Sequence, residues 1–426
     1  MKQDERPGQD PMPPVWRQVR WGILGLLFFV TVINFVDRQS LSIVAPILRE
    51  RLNLSNTDYG IIVSCFMFGM MAGEFPMGWL MDRRGVRFGL SFAVAWWSLA
   101  NALHAFGRSM LDFSLLRFWL GTGECGNFSG GMKVVSQWFP VRERAFAVGI
   151  FNGGSMVGSI IAPPLLVWLT LSMGWRAAFL LPSLLGFVWV VAWRLYYYPP
   201  DQHPLLSRAE KNYIEEGLEA EAAPPSNLAL LQRRQAWALM LCRFLVGPVV
   251  QFYIYWLPEY LYRQRGLSLK TIGMFAWVPF LFGDIGSILG GWVSGRLIRR
   301  GLSVTAARAI TMGVGAGCCL LSFAVAQAAT ASAALAFICL VLAGHTFLSA
   351  NMFAAISDLF PNNAVGRVTA LTGVAGGLSG MLFPLLTGFL VDRFSYLPVF
   401  SLAAVMPLAG VGALFLIAGR LTPSDK

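Results

Sequence analysis

Two short segments place charged side chains inside otherwise apolar runs. The segment VINFVDRQSLS holds Asn34, Asp37 and Arg38, and the segment LLRFWLGTGECGNFSGG holds Arg117 and Glu124. If these runs cross a membrane, each charge costs about 2.5–3.5 kcal/mol on insertion scales. Charged residues that persist at such a cost are candidates for function.

The spacing of these residues places them on shared helix faces. Arg117 and Glu124 are seven residues apart, which is two helical turns, and Asn34 and Asp37 are three residues apart. Asp37 and Arg117 are predicted to lie at similar depths, with Glu124 about two turns deeper. We therefore expect one cavity in which two cations and two carboxylates neutralise one another.

Two interpretations of these four charges remain open. A static ion-pair network could lock the helices together, although desolvation offsets most of the attraction between buried charges. Alternatively, Arg38 and Arg117 present positive charge to a substrate carboxylate, while Asp37 and Glu124 take up protons. An anion that draws an arginine away from a carboxyl group would change the proton affinity of that group. We favour this exchangeable arrangement.

Other polar residues in apolar runs are weaker candidates. Those in the second half of the chain are Gln251, Asp284, His345, Ser349 and Asn351. A single buried Gln or His is more often a satisfied hydrogen-bonding group between helices. Asp284 is the stronger of these candidates, since a lone carboxylate within a helix needs a partner or a proton. Glu74 is expected near a helix end, partly hydrated.

Motifs of soluble enzymes are missing from the sequence or out of context. Gly121–Gly126 reads formally as GxGxxG, but no strand precedes it, and small residues there favour close helix packing instead. There is no GxSxG or HExxH pattern, and the six cysteines have no CxxC spacing. We therefore expect no catalytic residues, no metal and no cofactor, and a protein that is not an enzyme.

The composition indicates the elements that position these residues. Of 426 residues, 56% are hydrophobic and 13% are charged, against about 25% charged in soluble domains. Apolar stretches recur along the chain, as at 89–106, 177–193 and 398–418. Helices of such length cross about 30 Å of hydrocarbon. The sequence predicts an all-α polytopic membrane protein.

The net charge of +11 has a topological explanation. With both termini in the cytoplasm, roughly nineteen Lys and Arg fall in inside segments and roughly eight in outside segments. This asymmetry indicates a bacterial inner membrane protein and gives no reason to expect nucleic acid as a partner. The basic residues Arg263, Arg265 and Lys270, on the outer side, are the local exception.

Hydrophobic runs and helix breakers predict twelve membrane helices near 19–47, 57–80, 88–107, 110–138, 144–170, 175–198, 236–262, 271–297, 305–328, 332–358, 366–391 and 395–420. One long polar connection divides them six and six. The predicted order is a tail (1–18), a six-helix bundle (19–198), a cytoplasmic loop (199–235), a second six-helix bundle (236–420) and a tail (421–426). Two such bundles enclose a site near the middle of the membrane.

A weak internal repeat supports this division. GWLMDRRGVR, from Gly78 to Arg87, follows the second helix, and GWVSGRLIRRG, from Gly291, follows the eighth. The basic residues alone would satisfy the charge asymmetry, but the Gly-x3-Asp-Arg-x-Gly spacing indicates a further role.

The first copy resembles the signature loop of the major facilitator superfamily, whose Asp and Arg latch the two halves in one orientation. The resemblance assigns that role to Gly78, Asp82, Arg83, Gly85 and Arg87. The segments NFVDRQSLS, RFWLGTGECGNF, FYIYWLPEYL and SANMFAAISDLFPNNAVGRV resemble the anion:cation symporter branch, and most of all its hexuronate (galacturonate and glucuronate) transporters.

This resemblance implies a major facilitator fold and proton symport of a sugar acid, with a monomer in the bilayer. Asp37 and Glu124 would be the proton sites. The substrate-binding side chains would be Arg38, Arg117, Asn34, Gln251, Ser349 and Asn351, with Asp284, His345 and Glu74 as further candidates.

Departures from the family pattern keep the substrate open. Phe35 stands where the family usually has Tyr, and Met70 stands where it has an aromatic hydroxyl. A less hydroxylated aliphatic or aromatic carboxylate is therefore one alternative, and a transporter-like anion sensor is another.

Overall fold

A computed structural model describes residues 13–14, 17–216 and 226–421. Most of the predicted tail 1–18, part of the predicted loop 199–235 and nearly all of the predicted tail 421–426 lie outside the described residues.

The described residues form sixteen α-helices and no strand. A short 3₁₀ turn, His104–Phe106, separates the third helix from the fourth. In chain order the helices are α1 (Val19–Leu52), α2 (Asn56–Arg84), α3 (Val86–Leu103), α4 (Met110–Trp138), α5 (Val141–Met173), α6 (Ala177–Tyr196), α7 (Arg208–Glu216), α8 (Asn227–Leu231), α9 (Arg234–Arg263), α10 (Leu269–Phe275), α11 (Val278–Arg299), α12 (Val304–Cys319), α13 (Ser322–Gln327), α14 (Ala331–Leu359), α15 (Asn362–Arg393) and α16 (Leu397–Ala418).

Ten helical segments within the described ranges are long and apolar enough to cross a membrane. Two of them are interrupted helices, since α10 with α11 and α12 with α13 each count as one segment. The other two predicted spans correspond to α3 and to α4, which carries Arg117 and Glu124 among its apolar residues. Each of the twelve predicted helices therefore has a helical counterpart.

Local sequence signals set the starts of the helices that carry the site. Ser55 and Ser109 each begin a capping box, in which the serine side chain accepts from the backbone N–H of Asp58 or Asp112. The aspartate carboxylate accepts in return from the serine backbone N–H, at 2.9 Å for Asp58 and 3.1 Å for Asp112. Such boxes satisfy N–H groups that a helix start otherwise leaves free.

The helices pack as two groups, which we call the first half (α1–α6) and the second half (α9–α16). In the first half, α2 packs against α4 and α1 against α5; in the second half, α11 and α12 pack against α14. The halves meet along α2 with α15, α1 with α9 and α5 with α10. We name the two ends of the molecule by a residue of α2, as the Asn56 end and the Asp82 end.

The connection between the halves is partly helical and is attached to α1. The Glu210 carboxylate of α7 accepts hydrogen bonds from the backbone N–H groups of Val19 and Arg20, both at 3.2 Å. Burial raises the pKa of Glu210, and these two N–H donors oppose that shift. The predicted polar loop therefore contains a segment fixed to the first half.

Candidate functional site

α1 and α4 bring two of the predicted charges into direct contact. Arg38 Nε and Nη2 both lie 3.0 Å from Glu124 Oε2. The Glu124 side chain is 0% exposed and that of Arg38 is 9% exposed. Asn34, one turn before Arg38, accepts from Arg38 Nη2 at 3.3 Å. The pair is therefore shielded from water and held by a neighbouring amide.

Arg117 lies beside this pair with much of its hydrogen-bonding capacity unused. Its Nη1 donates to the backbone carbonyl of Arg38 at 3.3 Å. Its buried Nε and Nη2 atoms have no partner among the described residues. Since a guanidinium offers five donors in a planar fork, the free edge can receive a carboxylate through two bonds.

The sequence analysis expects Asp37 to be neutralised by an arginine, but in the structure its partner is an amide. Asn101 Nδ2 of α3 donates to Asp37 Oδ1 at 2.7 Å, and the buried Oδ2 has no partner in the described part of the chain. Consecutive helical residues point about 100° apart, so Asp37 faces α3 while Arg38 faces α4. The expected mutual neutralisation of four charges is therefore observed directly only for Arg38 and Glu124.

Asn101 is a site residue that the sequence analysis missed. Its Nδ2 also lies 3.1 Å from Ser183 Oγ of α6, which fixes the amide against Asp37. The only signal was a single amide within the apolar segment WWSLANALHA, which is weak by itself.

Aromatic rings of both halves lie close to the charged groups. The guanidinium carbons of Arg38 and Arg117 lie 5.4 Å and 5.7 Å from the Phe66 ring centre. Tyr255 of α9 packs against Phe66 at 6.2 Å, and Phe35 lies 4.7 Å from Arg38. Rings at these distances stabilise a cation that has little water around it.

The candidate residues of the second half have different surroundings. Gln251 Oε1 and Ser349 Oγ are buried without a partner among the described residues. His345 Nε2 lies 3.1 Å from the carbonyl of Val246, the kind of interhelical contact expected for a lone buried histidine. Asp284 lies on α11 in a cavity between the halves, and its buried Oδ2 has no described partner.

Asn351 is not brought to the charged cluster. Its Oδ1 accepts from Arg308 Nη1 at 3.0 Å, and its Nδ2 lies 3.1 Å from the carbonyl of Gly290. Arg308 Nε in turn lies 2.8 Å from Asp358 Oδ2. These contacts join α11, α12 and α14, so they occupy the amide in packing within the second half.

The predicted latch residues make their described polar contacts within the first half. Asp82 pairs with Lys133 of α4, and Arg87 Nη2 donates to the carbonyl of Arg194 at 2.5 Å. Arg83 lies 5.0 Å from the ring of Trp79.

The backbone around the latch also follows the spacing of the motif. Gly85 has φ +77° at the junction of α2 and α3, a conformation that favours glycine. Gly78 lies on α2 with open space around its Cα, and Glu74, one turn earlier, is exposed.

At the Asn56 end, charged residues connect the two halves, and only Arg263 among them was noted in the sequence analysis. Glu259 of α9 forms ion pairs with Arg49 of α1 and, at 2.6 Å, with Arg263. Arg49 Nη1 also donates to Asn56 Oδ1 at 2.8 Å. The Asn56 end is therefore held closed by a buried cluster of charges.

A second carboxylate adds to this closure. Asp392, near the end of α15, accepts from the backbone N–H groups of Asn56 and Thr57 at 3.0 and 2.7 Å. It also accepts from their side chains, at 2.7 and 2.6 Å. A carboxylate at a helix start is favoured by the free N–H groups and by the helix dipole.

No group of three or more His, Cys, Asp or Glu side chains within the described ranges could hold a metal ion. The arrangement offers cations, carboxylates and a closed end, which suit the binding of an anion between the two halves.

Comparisons with known proteins agree with this arrangement. Residues 27–384 match the family model of the Major Facilitator Superfamily. The hexuronate transporter of Escherichia coli (strain K12) is 32% identical over 399 residues, which cover 92% of each chain. The galacturonate transporter of Dickeya chrysanthemi is 34% identical over 331 residues, covering 74% of this chain and 96% of that one.

A solved structure shares the fold. The crystal structure of a bacterial homolog to the human lysosomal transporter Spinster, in an inward-facing and occupied conformation, superposes with a TM-score of 0.74 at 18% identity. The match covers 94% of this chain and 97% of that one. These findings confirm the fold and the resemblance drawn from the sequence. The chain belongs to the Major Facilitator Superfamily, and it is a multi-pass membrane transporter and not an enzyme.

Proposed function

We propose that this protein is a proton-coupled symporter that imports a hexuronate or a related sugar acid by alternating access. The observation that carries the proposal is the buried Arg38–Glu124 pair, together with polar atoms of Arg117 and Asp37 that have no partner among the described residues. The two moving units would be residues 19–198 and 236–420, joined by the loop 199–235.

The unused donors of Arg117 support anion binding. A buried donor without a partner costs roughly 1–3 kcal/mol, and more when the group is charged. A ligand carboxylate between Arg117 and Arg38 would remove that cost. The names of the curated relatives, which include hexuronate and galacturonate transporters, indicate a sugar acid as this ligand.

The ion pair supports proton coupling. Glu124 Oε2 accepts from Arg38, while the buried Glu124 Oε1 has no described partner. If an incoming anion draws Arg38 toward itself, Glu124 is left as a buried charge and binds a proton to become neutral. Asp37, whose Oδ2 also has no partner among the described residues, is the second proton site of the proposal.

Uptake into proteoliposomes tests this coupling. With an imposed inward proton gradient, we expect the unmodified protein to concentrate labelled galacturonate. Glu124→Gln should still exchange labelled for unlabelled galacturonate but should lose uphill accumulation. Asp201→Asn, which removes an exposed charge outside the site, is the matched control. Accumulation by Glu124→Gln at the level of the control would rule out this coupling.

The same assay separates the alternatives. Phe35 and Met70 stand where the family pattern has side chains with aromatic hydroxyl groups, which favours a less hydroxylated carboxylate as the second candidate. Uptake of cyclohexanecarboxylate in preference to galacturonate would support it. Binding of galacturonate without any uptake or exchange would indicate an anion sensor instead.

We further propose a monomer in the bacterial inner membrane, with both termini and the Asp82 end on the cytoplasmic side. The basic residues of the inside segments support this orientation. In inside-out vesicles, a cysteine placed at Arg84 should react with an impermeant maleimide, whereas one placed at Ser395 should not. The reverse pattern would contradict the orientation.

A further inference from the structure

A small cavity lies between the two halves next to the charged cluster. Its volume is about 160 Å³, and its polar lining comes from Ser155 and Ser159 of α5, Asp284 of α11 and Thr346 of α14. This volume is several times the space that a single water molecule needs. It can therefore receive one end of a small ligand.

The carboxylate in this cavity has no partner among the residues that the structure describes. Asp284 makes no hydrogen bond or ion pair within the described ranges, and its Oδ2 is buried. A lone carboxylate at membrane depth is costly to retain and is a functional candidate for that reason. A packing role does not explain it, since it holds no neighbouring side chain in place.

Most other polar groups of the cavity already donate their hydrogen bonds to backbone carbonyls. The Ser155 hydroxyl donates to the carbonyl of Asn152 at 2.6 Å, and the Thr346 hydroxyl donates to the carbonyl of Gly283. Both oxygens keep lone pairs, and an ionised carboxylate only accepts. Apart from the hydroxyl of Ser159, the cavity therefore offers acceptors, and it suits a ligand that brings hydrogen-bond donors.

Phe35 connects this cavity to the charged cluster. Its ring lines the cavity and also lies 4.7 Å from the guanidinium carbon of Arg38. A ligand that contacts both Arg38 and Asp284 would therefore pass along the ring of Phe35. The apolar side chains Val250, Ile254 and Phe280 complete the wall and suit the C–H faces of a sugar.

We infer that Asp284 and this cavity form a subsite for the hydroxylated end of the substrate, which makes the transporter selective for monocarboxylic sugar acids. This inference rests on the proposed function. The Asp284 carboxylate would accept hydrogen bonds from substrate hydroxyls, and its negative charge would repel a second carboxylate. Specificity would then come from an attractive and a repulsive element in one residue.

Calorimetric binding to the purified protein tests the inference with three ligands. They are galacturonate, cyclohexanecarboxylate, which has a ring and one charge but no hydroxyls, and galactarate, which has two carboxylates. We expect Asp284→Ala to weaken galacturonate binding by about 10- to 100-fold, the usual effect of losing hydrogen bonds to a charged group. Cyclohexanecarboxylate binding should not change.

Asp284→Asn provides a second test with a side chain of the same shape. It removes the negative charge and keeps one acceptor, so it should bind galactarate more tightly than the unmodified protein does. Asp201→Asn is again the control for loss of a carboxylate elsewhere and should leave all three affinities unchanged. If Asp284→Ala does not fold, Asp284→Asn still tests the charge and Ser159→Ala tests the hydroxyl contacts.

Three results would overturn the inference. Equal weakening of galacturonate and cyclohexanecarboxylate would show that Asp284 supports the site only structurally. Loss of proton-driven uptake of every substrate in Asp284→Asn, with binding unchanged, would make it a proton carrier instead. If the unmodified protein binds no sugar acid, the proposed function fails and this inference fails with it, whereas the first two results leave the proposed function intact.

Discussion

The two ends of the molecule use ion pairs in opposite ways. At the Asn56 end, the pair of Arg49 and Glu259 joins α1 of the first half to α9 of the second. At the Asp82 end, Asp82 pairs with Lys133 of its own half, and Arg308 pairs with Asp358 of its own half. Among these pairs of described residues, the one that joins the two halves therefore lies at the Asn56 end.

Exposure separates the two kinds of pair further. The Glu259 side chain is 0% exposed, whereas that of Asp82 is 70% exposed. Removing one partner of a buried pair is strongly destabilising, because it leaves an uncompensated charge. Exposed pairs contribute only about 0–1 kcal/mol. The comparison predicts that substitutions at the Asn56 end affect closure and stability more than substitutions at the Asp82 end.

The largest effect is expected for Glu259→Gln. It leaves Arg49 and Arg263 without their carboxylate, and removal of one member of a buried pair costs about 3–5 kcal/mol. The closed Asn56 end should lose population to a conformation that is open there. Spin labels at Leu54 and Ser395, in a protein without its native cysteines, should show a longer distance by electron paramagnetic resonance.

Glu50→Gln is the matched control for this experiment, since Glu50 is an exposed carboxylate near the same end of α1. It should leave the label distance unchanged. An unchanged distance in Glu259→Gln as well would mean that the charges do not hold the Asn56 end closed.

An intermediate effect is expected for Gly60→Val. A Cβ at this position would collide with the backbone carbonyl of Pro384 in α15, where α2 and α15 make their close approach. Overpacking of this kind costs typically about 1–3 kcal/mol. The same label pair should again report opening of the Asn56 end.

Gly25→Val is the control for bulk, since a Cβ at Gly25 meets no atom within 4 Å. If both valine variants shift the label distance equally, the shift is caused by placing valine in a helix and not by a collision between the halves.

The smallest effect on stability is expected for Asp82→Asn. The exposed pair with Lys133 contributes about 0–1 kcal/mol, so the melting temperature should hardly change. Galacturonate exchange should fall nonetheless, if Asp82 latches the halves in the opposite conformation. A drop in melting temperature as large as that of Glu259→Gln would contradict the difference between the two ends.

The fold and the proximity of Arg38 to Glu124 could be predicted from the sequence, because both depend on the pattern of apolar and charged residues. Long apolar runs indicate helices that are buried in lipid, and charged residues within such runs are easily recognised. Their spacing shows which of them share a helix face. This was enough to predict Arg38 and Glu124 on neighbouring helices. It did not reveal that Asp37 faces Asn101, because an amide in an apolar run carries little signal and the rotation of α1 is set by packing.

Closure of the Asn56 end was not predictable by the same reasoning. Arg49 and Glu259 are 210 residues apart, and each lies near a helix end where charged residues are common. The structure does explain most of the basic excess on that side. Arg263 pairs with Glu259, and Arg265 donates to the carbonyls of Val325 and Ala328, both at 2.6 Å.

The attachment of α7 to the start of α1 shortens the chain segment that links the two halves. Glu210 holds α7 against the first half, and α7 ends at Glu216 while α8 begins at Asn227. Ten intervening residues span at most about 35 Å when fully extended. The distance between Glu216 and Asn227 is therefore limited by chain length in every arrangement of the two halves, and deleting residues between them would lower that limit.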